Sequence, residues 1–251
     1  MVTCEFGGGL GNRIFQYVSA RLLAEILGYS FESGCPLDNV LTPTIPATGK
    51  KYTQNKIHII ENNDNSNVFI AKWQKQHIHL QGYFQVADYY IPYRDKIIGF
   101  FNEQATKTPD NENIVIHIRL NDYKIFGEKG NVLNPKYYLD CLKRESFNRL
   151  FIVTDSPNDS YLDNFKSFNP IVSRGNLIND FWLITEFSRM IIANSTFSWW
   201  AAFLSNANKI YTPKCWVRDS NDIPHNLHMI DNGGCECIPV DTEHIDYDRK
   251  K

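Results

Sequence analysis

The chain has no long apolar run. No stretch approaches the ~18 residues that a membrane span needs, and the mean hydropathy is -0.37. Nor does it have an excess of either charge: 26 Lys and Arg stand against 28 Asp and Glu, a net charge of -2. A protein that coats nucleic acid or an anionic membrane needs a basic face, so neither is its main partner. Any phosphate must be bound at one focused site. The six cysteines (Cys4, Cys35, Cys141, Cys215, Cys235, Cys237) are spread over 251 residues. Small secreted domains pack theirs far more densely, so reduced thiols and a cytoplasmic location are expected. The opening MVTCEF has neither a basic n-region nor an apolar h-region, and no cleavable leader is expected. The G-x-x-x-x-G-K-[ST] phosphate loop is missing, as is any internal repeat at solenoid period.

Metal ligands at productive spacing are also scarce. Cys235 and Cys237 form a C-x-C pair with no second pair to complete a zinc site. His77 and His79 share a strand face without a third ligand, and the D-x-D of Asp246 and Asp248 lies in a charged tail, IDYDRKK. No metal is expected.

What is present is apolar material in quantity, 43% hydrophobic and 14% aromatic, enough for a large core or two smaller ones. Val2 to Phe6 read as a strand, followed at once by a glycine turn. Ile14, Phe15, Val18, Leu22, Leu23, Ile26 and Leu27 then recur at helical spacing, with Gly28 placed to end the helix. Tyr29 to Glu32 read as a second strand, and further strands are expected at 57–60 and 78–80, with a surface loop over 61–67. The polar segment 102–113 reads as an interdomain linker.

Beyond it the periodicity predicts strands at 114–118, 150–153, 171–172, 191–193 and 210–211. Helices are predicted from Asn134-Pro135 through Leu142, over 181–190 and over 196–204. Strands alternate with helices throughout, which makes both halves parallel α/β layers.

Three segments carry chemistry. GGGLGN follows the first strand, but Asn12 stands where a dinucleotide fingerprint requires its last glycine. The turn is therefore read as bare backbone (Gly8, Gly9, Gly11) that a substrate can approach, with Asn12 adding an amide that both donates and accepts. HIRLNDY puts His117 and Arg119 on one face at the carboxyl end of a buried strand, where α/β proteins bind ligands. A guanidinium fork there matches a phosphate, and the competing reading is an ion pair with Asp122. NSTFSWW clusters Ser195, Thr196 and Ser198 at a helix start, an anion cradle of hydroxyls and free amides or, more simply, an N-cap. Asp180 reads as the N-cap of its own helix, with a second role toward a base or ribose.

Taken together, GGLGNRIFQYVSARLLAE (8–25), LQGYFQVADYY (80–90), HIRLNDY (117–123), FIVTDS (151–156) and DFWLITEFSRMIIANSTFSWWAAFLS (180–205) resemble glycosyltransferase family 11, the α-1,2-fucosyltransferases. The resemblance implies an α/β fold of GT-B type, with two Rossmann-like domains and a cleft between them. The domains would be an acceptor-side domain at 1–108 and a nucleotide-sugar donor domain at 109–251. It implies an inverting, metal-independent transfer of L-fucose from GDP-β-L-fucose to a hydroxyl, O-2 by analogy, of an acceptor glycan, with no further cofactor.

In the family's H-x-R-R-G-D-Y motif the first arginine matches Arg119, while the second is Leu120 here and the glycine is Asn121. Arg119 and Asn12 are the expected catalytic residues. His117, Arg119, Asp180, Ser195, Thr196, Phe197 and Ser198 are expected to bind the donor. Glu5 and Asp122 are the candidates for a general base, and acceptor recognition is expected in 36–76. The rival readings are transfer of another sugar by the same fold, and a nucleotide- or glycan-binding module without catalysis.

Overall fold

The computed structural model describes residues 1–32, 37, 49–50, 56–60, 76–101, 108–124, 131–216, 227–228, 230 and 234–245. The expected loop at 61–67, Cys35, most of the acceptor segment 36–76, residues 102–107 of the linker and the Asp246/Asp248 pair lie outside them. The chain divides into two compact units, Met1–Asn102 and Glu103–Lys251.

The first unit is built on strand β1 (Val2–Cys4), helix α1 (Leu10–Leu27), β2 (Lys56–Ile60) and β3 (His77–Gln81), followed by the short helices α2 (Ala87–Tyr90) and α3 (Arg94–Ile98). Its three strands are all parallel, in the order β1-β3-β2. Alternation sorts the strands: Val2, Ile78 and Leu80 are fully buried, while Thr3, His77 and His79 take the other face, their side chains joined through the Thr3 hydroxyl. Helix α1 buries Ile14, Phe15, Val18, Leu22 and Leu23, as its spacing predicts. It ends at Gly28 in the left-handed region (φ 66°), whose N–H reaches the carbonyls of Ala24 and Glu25. The expected strand at 29–32 is reduced to two isolated bridges, Val2 with Phe31 and Tyr29 with Lys50.

The second unit comprises β4 (Ile114–Ile118), α4 (Pro135–Leu142), β5 (Leu150–Thr154), β6 (Ile171–Val172), α5 (Leu177–Thr185), β7 (Arg189–Ile191), α6 (Thr196–Leu204), β8 (Lys209–Pro213) and β9 (Glu236–Val240). All six strands are parallel, ordered β6-β5-β4-β7-β8-β9. Every residue of β4 is buried, as befits a strand covered on both faces. Asn134 caps α4 by accepting the Lys136 N–H, and Pro135 sits at the first helical position where its missing donor costs nothing. Helix α6 is apolar all round and buried from Phe197 to Leu204. Trp199 stacks on Phe203 at 5.0 Å, so Trp199 and Trp200 are core residues.

In this unit three elements differ from the periodic pattern; one is β7, which spans Arg189–Ile191 where 191–193 is expected. The helix expected at 181–190 spans Leu177–Thr185. Asn176, not Asp180, is its N-cap, accepting from the amides of Ile178 and Asn179 and so starting the helix a turn earlier. Its end is set by β7, whose Arg189 and Met190 pair with β8. Strand β9, which contains Cys237, has no clear alternation and is legible only as a partner of β8.

Candidate active site

In the second unit the chain starts in the middle of the sheet at β4, moves outward through β5 and β6, returns to β7 beside β4, and moves outward again through β8 and β9. The direction of winding reverses between β4 and β7. Loops leaving the carboxyl ends of these two strands diverge to opposite sides, and the crevice between them is where open α/β sheets hold ligands.

The sequence places HIRLNDY at the end of β4 and NSTFSWW at the end of β7. Ile118 pairs with Thr154, and Ile116 with Ile191. Arg119, Asp155 and Asn194, each just past its strand, therefore stand at one level across the sheet.

Arg119 is half-buried and held by two carboxylates. Its Nε lies 2.8 Å from Asp122 Oδ1 and its Nη1 2.9 Å from Asp155 Oδ2. Burial disfavours its charge, but the bond to Asp122 and the charges of Asp155 and Asp122 outweigh that and raise its pKa above the ordinary value. The expected Arg119–Asp122 pair exists, then, with a second acid that the spacing did not reveal. Asp155 also accepts the backbone N–H groups of Leu120 (3.0 Å) and Asn121 (3.3 Å), so one carboxylate fixes three successive residues of the turn. Leu120, where the family has its second arginine, points into the core and is fully buried. Tyr123 lies under the Arg119 guanidinium, 5.7 Å from its ring centroid, and donates to the Asn194 carbonyl at 2.7 Å. Burial pushes the Tyr123 hydroxyl up to about 12, which keeps it a donor.

The motifs meet through a chain of rings. His117, 3% exposed, lies 5.3 Å from Phe197 of α6, and Phe197 lies 5.4 Å from Phe181 of α5, the neighbour of Asp180. Burial, then the Arg119 charge, lower the His117 pKa to about 3, so the ring is neutral, and its buried Nδ1 has no hydrogen-bond partner among the described residues. Ser195 is the N-cap residue of α6 but makes no side-chain cap bond, which leaves the cap role open to a ligand. Thr196 is half-buried at the first turn. Ser198 departs from the expected cradle: it is fully buried, and its hydroxyl faces the carbonyls of Ser195 (3.2 Å) and Ala193 (3.5 Å). A serine three residues into a helix back-bonds to its own turn, so Ser198 holds the turn and is not available to a ligand.

The glycine turn belongs to the first unit. Gly8 has a φ of 75°, a conformation that favours glycine, and a Cβ there would stand 2.5 Å from Asn12 Nδ2 and push that amide aside. Asn12 accepts from Gln85 Nε2 at 3.1 Å. Gln16 ties the turn down by accepting the Gly7 N–H and donating to the Gly82 carbonyl. The first unit's candidate base, Glu5, is exposed and lies 3.9 Å from His79 Nε2. The other, Asp122, is committed to Arg119. Among the described residues no group of three or more His, Cys, Asp or Glu side chains is placed to hold a metal ion. Cys237 instead directs its thiol toward the His228 carbonyl at 3.5 Å.

The family model for glycosyl transferase family 11 matches residues 75–223, more than half of the chain and all of the motifs just described except the glycine turn. The chain belongs to glycosyl transferase family 11. It is 25% identical over 261 residues to an alpha-1,2-colitosyltransferase of Escherichia coli, covering 82% of this chain and 88% of the relative. In fold it is similar to a solved structure of a mutant of FUT1 of Arabidopsis thaliana in complex with GDP. That match has a TM-score of 0.52 and 14% identity, and covers 86% of this chain and 71% of the plant one. This family 11 member is thus a glycosyltransferase related to fucosyltransferases and to a colitosyltransferase. No helix among its described residues is long and apolar enough to cross a membrane.

Of the residues singled out by sequence, the structure brings His117, Arg119, Phe197, Ser195 and Thr196 to the β4/β7 crevice, whereas the Asp180 side chain is engaged by Ser173 of the loop after β6. Asp155, Tyr123 and Asn194 were missed as site residues. Asp155 carries a usable signal, an acid one residue past a buried strand that neighbours the arginine strand.

Proposed function

We propose that this enzyme transfers L-fucose, with inversion, from GDP-β-L-fucose to a hydroxyl of an acceptor glycan. The second unit would hold the donor and the first would serve the acceptor in a GT-B enzyme acting in the cytoplasm. The observation that supports this best is the position of Arg119 and the uncapped start of α6 on either side of the sheet's reversal point in a family 11 chain.

Cleavage of the sugar–diphosphate bond leaves positive charge on the sugar ring and negative charge on the leaving phosphate. A fixed guanidinium and helix amides stabilise that anion in place before the bond breaks, so little reorganisation is needed and no metal is required. Arg119 takes the diphosphate, with Ser195 and Thr196 at the start of α6 facing it. Asp180, next to Phe181, takes the N1 and N2 donors of guanine, and the neutral His117 ring lies against the nucleoside. In the first unit, the Gly8–Gly11 turn and Asn12 would serve the acceptor.

A second reading has a specific observation in its favour: the E. coli relative carries the name of a colitosyltransferase, so the same nucleotide site would accept a different deoxy sugar. One experiment tests both. The chain is incubated with GDP-fucose, GDP-colitose, and UDP-, dTDP- and ADP-linked sugars, and nucleotide release with an acceptor glycan is scored. Turnover only with UDP- or dTDP-sugars removes the GDP assignment. Absence of release with every donor, while GDP still raises the melting temperature, supports a non-catalytic binding module instead.

A further inference from the structure

The loop after β6 takes no part in the mechanism above, yet it controls the Asp180 carboxylate. The Ser173 hydroxyl accepts the Gly175 N–H at 3.2 Å and donates its single proton to Asp180 Oδ1 at 2.5 Å. Oδ2 of Asp180 has no protein partner among the described residues. The carboxylate is fixed by one oxygen and presents the other.

Gly175 leaves the room this requires. A Cβ at that position would stand 2.8 Å from Asp180 Oδ1 and 3.2 Å from the Asn179 Cβ, so any side chain displaces the carboxylate. Leu177, three residues before Asp180 and hence on the same face of α5, is 49% exposed, one of three large apolar side chains left so among the described residues. A fixed acceptor beside an exposed apolar side chain suits a flat ring with N–H donors on its edge.

We propose that Ser173 and Gly175 are positioning residues that determine base specificity: they hold Asp180 in the orientation that selects guanine over a purine lacking the 2-amino group. This rests on the reading of Asp180 as the guanine partner. Both oxygens are needed to meet N1–H and N2–H together, and Oδ1 accepts a second hydrogen bond only while Ser173 keeps it in plane. Without the brace the carboxylate rotates, N1–H is still met, and the contribution of N2–H is lost.

The test measures the affinities of GDP and inosine diphosphate for the full chain by calorimetry, in wild type, Ser173→Ala, Ser173→Thr, Gly175→Ala and Asp180→Asn. The ratio of the two affinities is the readout, because a loosened site weakens both nucleotides together and leaves the ratio alone. Wild type is expected to prefer GDP by ~10-fold or more, the scale of one hydrogen bond to a charged group. Ser173→Ala and Gly175→Ala are expected to reduce that preference to within about threefold, and Ser173→Thr, which retains the hydroxyl, to preserve it. If Asp180→Asn abolishes the preference while Ser173→Ala and Gly175→Ala keep it, the brace is refuted and the guanine contact stands. If wild type shows no preference, the guanine contact itself falls, and the proposal with it.

Discussion

Replacing His117 by Phe should flatten the acid side of the stability profile. The imidazole is 3% exposed, tilted against Phe197 and two residues from Arg119 in sequence, and its pKa is lowered from 6.5 to about 3. Burial is the main cause and the neighbouring cation the lesser. With the folded pKa below the unfolded one, both states are neutral at pH 7 and the ring then contributes nothing to pH dependence. As pH falls below 6.5 the unfolded chain takes up a proton that the folded chain refuses, so stability drops by about 1.4 kcal/mol per pH unit until about pH 3. Between pH 7 and pH 5 the loss is about 2 kcal/mol, or roughly 6 °C in melting temperature for a unit of this size. Phe fills the slot against Phe197 and removes the titration. Melting is followed by tryptophan fluorescence, which reports mainly on the second unit, since Trp182, Trp199, Trp200 and Trp216 all lie there. The comparison is between slopes, so a uniform change in stability caused by the substitution does not affect it. Equal declines from pH 7 to pH 5 in wild type and His117→Phe would refute the assignment of a buried neutral ring.

Arg119→Ala should lower turnover by ~100-fold or more, the cost of losing one preorganised donor to a developing anion. Arg119→Lys should recover little of it, since an ammonium cannot bridge Asp122, Asp155 and a phosphate as a planar fork does; near-normal nucleotide release by the Ala variant would refute the role. Transfer should persist in excess EDTA, and the double variant Cys235→Ser with Cys237→Ser should remain active, whereas strict dependence on manganese or magnesium would overturn the site. Ser198→Ala should cost about 1 kcal/mol in chemical denaturation, from one lost internal hydrogen bond, with GDP affinity unchanged; a tenfold loss of affinity would return Ser198 to the anion cradle.

The parts of the fold that were legible are those where local physics and tertiary packing agree. Helix α6 was readable to the residue because a polar cluster meets an unbroken apolar run, and β4 because five apolar or neutral residues sit between polar breaks. Helix α5 was misplaced by a turn because two capping residues compete, Asn176 and Asp180. Only the structure shows that Asp180 is engaged by Ser173, leaving Asn176 to cap. Strand β9 was missed because an edge strand with Glu236, Cys237 and Pro239 carries no period-2 signal; its order comes from β8. At the site, residues within one motif were found from spacing, while contacts between motifs, such as Asp155 to Arg119 and Tyr123 to Asn194, depend on strand order, which no local pattern encodes.

Strand order also explains how Arg119 can be paired and still serve a ligand. Its two ion pairs involve Nε, with Asp122, and Nη1, with Asp155, and Nη2 takes part in neither. The acids come from the arginine's own turn and from the β5 side, and Asp155 is anchored independently of it by two backbone amides. They hold the guanidinium through Nε and Nη1, and on the proposed reading its remaining edge is left for the donor diphosphate. The same alternation that turns Arg119 outward turns residue 120 inward, where Leu120 is fully buried. An arginine at 120 with this backbone would bury an unpaired charge, a cost of several kcal/mol. With leucine at 120 and a neutral His117, Arg119 is the one cation of this motif, and the proposed donor site rests its electrostatics on it and on the start of α6.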